Sequence, residues 1–314
     1  MADFEFIKMH GLGNDYVFID VTDTDIDAPQ LLSRRISDRA ESIGSDGLIL
    51  YERLSESRCA LRMRIFNADG SEAELCGNGI RCLARHAFES GMVSDHVFEI
   101  ETGAGALGVE IHDEDDRFLG VSVEMGRATT ALEASGVSLP GLDGDESGIG
   151  VRVDLVTLLA DHDIRLDRQG LDDVVSFVSI GNPHLVFWVR EPAALEAFDL
   201  ARFGPILEHH PWFKDRINVH VVRVDSACQV TMRSWERGSG ETSACGTGAS
   251  AVSVAGALET RTSPSISAIL PGGTLELVYD SHQGAVRMTG PAETICTGVV
   301  RSDGTIISLK DIPA

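Results

Sequence analysis

Two cysteines in this chain sit in nearly the same setting: Cys76 opens Cys-Gly-Asn-Gly and Cys245 opens Cys-Gly-Thr-Gly. Each tetrapeptide runs into a helix-period stretch, "IRCLARHAF" after the first and "ASAVSVAGA" after the second. That spacing predicts a thiol at or just before each helix N-terminus, where unpaired N–H groups and the macrodipole stabilise a thiolate. An ordinary cysteine titrates near ~8.5; lowering it by two units takes roughly 2.7 kcal/mol, within reach of a helix end plus hydrogen bonds. The same N–H groups can hold a carboxylate, and the glycines let a ligand approach the backbone closely. Two acid–base groups of one kind, on opposite faces of one carbon, suit inversion of a stereocentre. A thiolate removes the α-proton of an amino acid, and the opposite thiol delivers a proton to the other face. One sulfur must then be charged and the other protonated, so the two titrate as a coupled pair.

The elements around these cysteines recur as well. Met232 stands 169 residues after Met63, and the same shift lays Arg233 on Arg64, Trp235 on Phe66, Glu236 on Asn67, and Cys245-Gly246 on Cys76-Gly77. A shift of 168 lays "GNPHLV" on "GNDYVF", pairing Asn182 with Asn14. Two landmarks at nearly one offset predict two similar lobes related by an approximate two-fold, with a pocket between them that sees one cysteine from each side. Short alternating runs such as "YVFID", "GLILYE", "LRMRIF", "HLVFWVR" and "INVHVVRV" read as strands. Helical periodicity appears mainly in "PQLLSRRISDRA", "GIRCLARHAFESG", "EPAALEAFDLARFGPILEHH" and "ASAVSVAGALET". The sum is a strand-rich α+β chain, with an exposed loop expected at "GVSLPGLDGDESGIG".

Composition narrows the function. The net charge of −23 disfavours nucleic acid and anionic membranes as partners. Only Lys8, Lys214 and Lys310 are lysines, and runs such as "DEDD" imply an acidic, solvated surface suited to concentrated salt. No basic segment followed by an apolar run opens the chain and no long uncharged apolar stretch follows, so a cytoplasmic location is expected. The six cysteines lack the C-x-x-C spacing of zinc or redox motifs, and Cys82 reads as core. No metal is expected. A pyridoxal cofactor works through a lysine, and neither cysteine loop contains one, so no cofactor is expected either.

The motifs "KMHGLGNDYVFID", "FNADGSEAELCGNGIRC", "GNPH", "INVHVV", "WERGSGETSACGTGASA" and "MTGPAE" follow one another along the chain. In them the chain closely resembles the diaminopimelate epimerase family, cofactor-independent epimerases of lysine biosynthesis. The resemblance implies two pseudo-symmetric lobes, each a strand-rich barrel around a central helix, with the active site in the cleft between them. It places residues 1–126 and about 290–314 in one lobe and 127–289 in the other. It implies Cys76 and Cys245 as the acid–base pair. Gly77, Asn78, Gly246 and Thr247 would cradle the reacting carboxylate. Asn14, Asn67, Asn182, Asn218, Glu236 and Arg237 complete the substrate-binding set, with His184 and Glu236 tuning the thiols. A substrate with two amino-acid ends needs a carboxylate for ammonium and an arginine for the distal carboxylate. Gly47 stands where the family often has glutamine, leaving any polar role there to backbone or water. A homodimer is implied by the resemblance alone.

Other readings are weaker. A proline or hydroxyproline racemase of the same fold has no use for Asn67, Glu236 and Arg237. A thiol–disulfide oxidoreductase is disfavoured by the missing C-x-x-C, and an amino-acid-binding protein leaves the paired thiols without a purpose. "GAGALG" fits a dinucleotide pattern but runs into a strand, and His209-His210 lack metal-ligand spacing.

Overall fold

The computed structural model describes residues 2–311 except 56, 116, 156–157, 159–165 and 167–168. The chain divides into two compact units, Met1–Glu124 with Thr289–Ala314, and Met125–Met288. The first unit begins with β1 (Asp3–Gly11), β2 (Asn14–Asp20), α1 (Pro29–Ile36), β3 (Gly47–Arg53), β4 (Leu61–Asn67) and β5 (Glu72–Ala73). It continues with α2 (Gly77–Glu89), β6 (Val97–Thr102), β7 (Gly105–Glu114) and β8 (Arg117–Arg127), within which the chain leaves the unit. The second unit holds β9 (Val151–Arg152), β10 (Leu171–Ser179), β11 (Pro183–Val189), α3 (Ala194–Ala197), α4 (Leu200–Glu208) and β12 (Asn218–Ser226). After them come β13 (Gln229–Glu236), β14 (Gly240–Thr242), α5 (Gly246–Leu258), β15 (Ser265–Leu270), β16 (Gly273–Asp280) and β17 (Ala285–Gly290). The chain returns within β17 and ends in β18 (Glu293–Arg301) and β19 (Ile306–Asp311).

The two units have the same strand topology. In the first, β1–β2 is antiparallel, β2–β3 parallel, β3–β4 antiparallel, β4–β6 parallel and β6–β7 antiparallel. In the second, β10–β11, β11–β12, β12–β13, β13–β15 and β15–β16 follow the same sequence of directions. The registers give a residue-level correspondence. Tyr16 pairs with Gly47 and Phe18 with Ile49, as His184 pairs with Asn218 and Val186 with His220. Tyr16 therefore corresponds to His184, Gly47 to Asn218 and Ile49 to His220.

Each cysteine-led helix packs on its own unit's strands. Helix α5 touches β10, β11, β12, β15 and β16, and its small apolar residues are buried on every side, as a central helix requires. Its serines bond the helix's own backbone, Ser250 Oγ donating to Gly246 O at 2.9 Å and Ser253 Oγ to Ser250 O at 2.8 Å. Helix α2 packs on β1, β2 and β7. Phe6, Val17, Leu48 and Phe66 anchor the core of the first unit, and Phe177, Phe187, Phe203 and Val219 that of the second. Burying each such side chain contributes about 1.5–3 kcal/mol.

Two expectations need correction. The stretch from Glu191 to His210 is not one helix. Phe198 is extended, and Asp199 starts a new helix by accepting the Arg202 N–H at 3.1 Å. A carboxylate at that point favours a fresh N-cap over continuation. The loop from Gly136 to Gly150 is not wholly exposed either. Val137 and Leu139 are buried in the core, and Val137 bridges to Phe213.

Candidate active site: two cysteine-capped helices

Cys76 is the N-cap of α2 and Cys245 the N-cap of α5, both with extended backbone (φ −136° and −128°). The spacing read from the sequence therefore puts both sulfurs where free N–H groups and the helix dipole act on them. The two settings share a plan. In the first unit Asn14 Oδ1 accepts from the Cys76 thiol at 3.5 Å and from Asn78 Nδ2 at 3.3 Å. In the second, Asn182 Nδ2 donates to Thr247 Oγ1 at 3.4 Å, and Thr247 Oγ1 lies 3.8 Å from Cys245 Sγ. Each repeat-related asparagine thus reaches the second residue of its cysteine-capped helix.

The orientation of Asn14 is set from behind. Its Nδ2 donates to Asp46 Oδ2 at 2.9 Å, which leaves Oδ1 toward the thiol. Asp46 also accepts from Arg39 at 2.8 Å, and Arg39 and Lys8 both hold Asp15. Desolvation pushes the Asp15 carboxyl up, but hydrogen bonds and charge from Arg39 and Lys8 outweigh it and hold it below the usual range. The Gly79 N–H donates to Cys76 Sγ at 3.4 Å. Asn78 is buried, and its Oδ1 accepts from Arg81 Nη2 at 2.7 Å.

The surroundings of the two sulfurs then diverge. Arg81 is fully buried on α2, donating to Gly77 O and Pro291 O, each at 3.1 Å. Burial depresses its basicity, while the neighbouring Cys82 and Cys76 sulfurs pull in the opposite direction. The corresponding residue of the second unit is Ser250, which brings no charge. Cys245 instead meets Glu236. Burial, then the Glu236 charge, then its hydrogen bond to the thiol, raise Cys245 well above the ordinary range. Glu236 is held in turn by the Thr242 hydroxyl. A buried cation thus lies near the first sulfur, while the carboxylate against the second favours its thiol form.

The remaining sequence-derived residues have defined places. Asn67 ends β4 opposite Gly47 and donates to Ser71 Oγ at 3.0 Å. Asn218 is buried, with Nδ2 donating to Pro183 O at 2.8 Å and Oδ1 accepting the Arg237 N–H at 2.9 Å. Its position inside an apolar strand is explained by these two backbone bonds. Arg237 Nη1 donates to Asp215 O at 2.7 Å. His184 is fully buried, with Nε2 2.9 Å from Asn182 Oδ1. Gly77 and Gly246 are buried at the first helical positions, and Cys82 is core, pushed up to about 12 by burial.

The sequence reading missed Tyr16, Arg81 and His220. His220 Nε2 lies 2.9 Å from His184 Nδ1, and its Nδ1 lies 2.9 Å from Ser234 Oγ. The second glycine of each motif lies against the corresponding strand residue, Ile49 in the first unit and His220 in the second. A Cβ at Gly79 would stand 2.5 Å from Ile49 Cδ1, and one at Gly248 would stand 2.8 Å from His220 Nε2 and 3.0 Å from Cys245 Sγ. A signal was available in the strand period. Tyr16, His184 and His220 each stand two residues after Asn14, Asn182 and Asn218, hence on the same strand face. Among the described residues no cluster of three or more His, Cys, Asp or Glu could hold a metal ion.

Together these features define a two-unit α+β protein with a cysteine at the head of each principal helix, and solved structures share its fold. A phenazine biosynthesis protein of the PhzF family from Bacillus anthracis matches with a TM-score of 0.68 at 16% identity, covering 96% of this chain and 100% of its own. A hydroxyproline epimerase from Agrobacterium vitis, with bound trans-4-hydroxy-L-proline, matches at 0.60 and 17% identity, covering 98% and 95%. Sequence carries the likeness further. The diaminopimelate epimerase family model matches residues 6–131 and 176–295. The diaminopimelate epimerase of Geobacillus kaustophilus is 39% identical over 303 residues, 95% of this chain and 97% of its own. That of Desulforudis audaxviator is 42% identical over 295 residues, 94% and 98%. This chain belongs to the diaminopimelate epimerase family.

Proposed function

We propose that this chain is an isomerase that interconverts LL- and meso-diaminopimelate by two-base proton transfer at the α-carbon, without a cofactor, in lysine biosynthesis. The observation that carries the reading is the matched pair of cysteines at helix N-caps, each with its asparagine, in a chain of this family. In one direction the Cys76 thiolate takes the α-proton, leaving the electron pair on the carbon and its carboxylate. The Cys245 thiol then gives its proton to the opposite face, so Cys76 ends protonated and Cys245 ends as thiolate. The backbone N–H groups at Gly77-Asn78 and Gly246-Thr247 hold the carboxylate, stabilising the charge that develops as the proton leaves.

Asn67, Glu236 and Arg237, with Asn14, Asn182 and Asn218, hold the two polar ends of the substrate in this reading, and His184 with Glu236 tunes the thiols. Asn218 contributes its position and remaining hydrogen-bonding capacity, since both ends of its amide already serve the backbone. Homodimer formation and a cytoplasmic location belong to the same proposal. Among the described residues no helix is long and apolar enough to cross a membrane.

The test is incubation of the reduced protein with LL-diaminopimelate and chiral separation of the products. Appearance of the meso isomer, with L-proline and trans-4-hydroxy-L-proline left unchanged, is expected. Inversion of either imino acid in place of diaminopimelate would move the assignment to the racemase reading.

A further inference from the structure

Glu208 ends helix α4 with a carboxylate that is buried, the residue being 3% exposed. Three donors converge on it. Arg216 Nη1 donates to Oε1 at 2.9 Å, and the Gly238 N–H donates to the same oxygen at 3.1 Å. Trp235 Nε1 donates to Oε2 at 2.8 Å. A carboxylate is costly to bury unless its oxygens are met in this way. The indole is seated on α4, since a Cβ at Gly204 would run into its ring. The donors flank one residue from both sides. Trp235 and Gly238 bracket Glu236 and Arg237 in the turn between β13 and β14, where Gly238 takes a left-handed φ of +80°. Arg216 follows Asp215, whose carbonyl accepts from Arg237 Nη1 at 2.7 Å. In the same segment Asn218 Oδ1 accepts the Arg237 N–H at 2.9 Å. Glu208 therefore fastens the turn that carries Arg237 to the segment that holds Arg237 in place.

We propose that Glu208 is a positioning residue for substrate recognition, its buried carboxylate locking the Glu236-Arg237 turn against the 215–218 segment so that Arg237 meets the distal carboxylate of the substrate at a fixed point. The proposal rests on the reading of Arg237 as a substrate-binding residue. A long side chain free to swing loses rotamer entropy when it captures a ligand. Arg237 is already held at its backbone N–H and at one guanidinium nitrogen, so less is lost, and its remaining N–H groups stay available to a carboxylate. The carboxylate at position 208 is what joins the two supports. A glutamine there keeps the shape but has one oxygen in place of two. Its amide nitrogen must face either the Trp235 N–H or the Arg216 and Gly238 donors, so one tie is lost in either orientation.

The experiment is a double-mutant cycle on kcat/KM for LL-diaminopimelate in the full-length protein, Glu208→Gln against Arg237→Met. Glu208→Gln is expected to lower kcat/KM about tenfold, the size of one lost hydrogen bond to a charged group, with the change carried by KM. In the Arg237→Met background the same substitution is expected to add nothing. A kcat/KM equal to wild type overturns the proposal. So does a loss of equal size in both backgrounds, which is what a general loosening of the fold gives. If Glu208→Gln does not fold, Arg216→Gln cuts the same tie from its other end, at a side chain that is half-exposed. Its effect must likewise vanish beside Arg237→Met; an additive effect or none overturns the proposal equally. Wild-type kcat/KM in Arg237→Met alone would sink the reading of Arg237, and the proposal with it. That outcome is distinct from a silent Glu208→Gln beside an Arg237→Met that has lost activity.

Discussion

His184 Nδ1 lies 2.9 Å from His220 Nε2, and both rings are completely buried in the second unit. With Asn182 Oδ1 accepting from His184 Nε2–H, His184 Nδ1 is an acceptor and His220 Nε2–H the donor. His220 Nδ1 then accepts from the Ser234 hydroxyl. Every ring nitrogen has a role, and both rings are neutral. Burial, the other histidine and Arg237 hold His184 well below its ordinary range; burial alone takes His220 to about 3.

This pair predicts loss of stability in mild acid. Unfolded histidines take up protons near ~6.5, while the folded pair resists. The stabilising effect is complete above ~6.5 and is lost as pH falls, at up to about 1.4 kcal/mol per pH unit per histidine. Urea midpoints should fall between about pH 7.5 and pH 5, with a shallower slope in His220→Gln. Equal slopes in the variant and wild type would show that the pair does not control this window.

At the alkaline end the sign reverses. Burial raises Cys82 to about 12, and burial followed by Glu236 raises Cys245 well above the ordinary thiol range. Below the unfolded value of roughly 8.5 both states keep these protons, so the stabilising effect is complete there. It is lost as pH rises toward the folded values, at about 1.4 kcal/mol per pH unit for each thiol. Cys82→Ala should flatten the decline in urea midpoint between about pH 8 and pH 10. A decline as steep as in wild type would contradict the assignment to Cys82.

Much of this was legible in the sequence, and the limits were physical. The C-G-x-G spacing fixed both cysteines at helix starts because few other contexts put glycines directly ahead of an apolar helical run. The shift of 168–169 residues carried the repeated strand topology. The break at Phe198 was hidden because apolar periodicity continues through it, and Asp199 could equally have been a helix-surface residue. His220 was hidden because a histidine within "INVHVV" has no local marker; its partners lie 36 and 14 residues away. Tyr16 was passed over as one apolar residue of a strand, since its ring packs on Gly47 of the neighbouring strand, 31 positions away in "IGSDGLIL". The exclusion of side chains from position 47 depends on a carbonyl of β4 that no local pattern reveals.

That exclusion gives a packing prediction. Gly47→Ala forces its Cβ onto the Phe66 carbonyl and the Tyr16 ring. Overpacking of this kind costs about 1–3 kcal/mol. A lowered urea midpoint is expected, because the displaced ring is buried between β1 and β3. A midpoint equal to wild type would show that the strand pair yields without strain.

The acidic surface predicts a response to salt. With a net charge of −23, self-repulsion opposes the compact state, and ions screen it over a Debye length of about 10 Å at 0.1 M and about 3 Å at 1 M. Thermal midpoints should rise with sodium chloride through the molar range. No gain would count against an adaptation to high salt.

The central claim is that Cys76 and Cys245 act as two halves of one proton-transfer device. The most direct measurement is turnover of LL-diaminopimelate in deuterium oxide, following α-deuteration and the meso product for wild type, Cys76→Ala and Cys245→Ala. Deuterated product is expected from wild type, with a loss of at least ~10²-fold in epimerisation for either variant. Epimerisation at near wild-type rate in either single variant would contradict it.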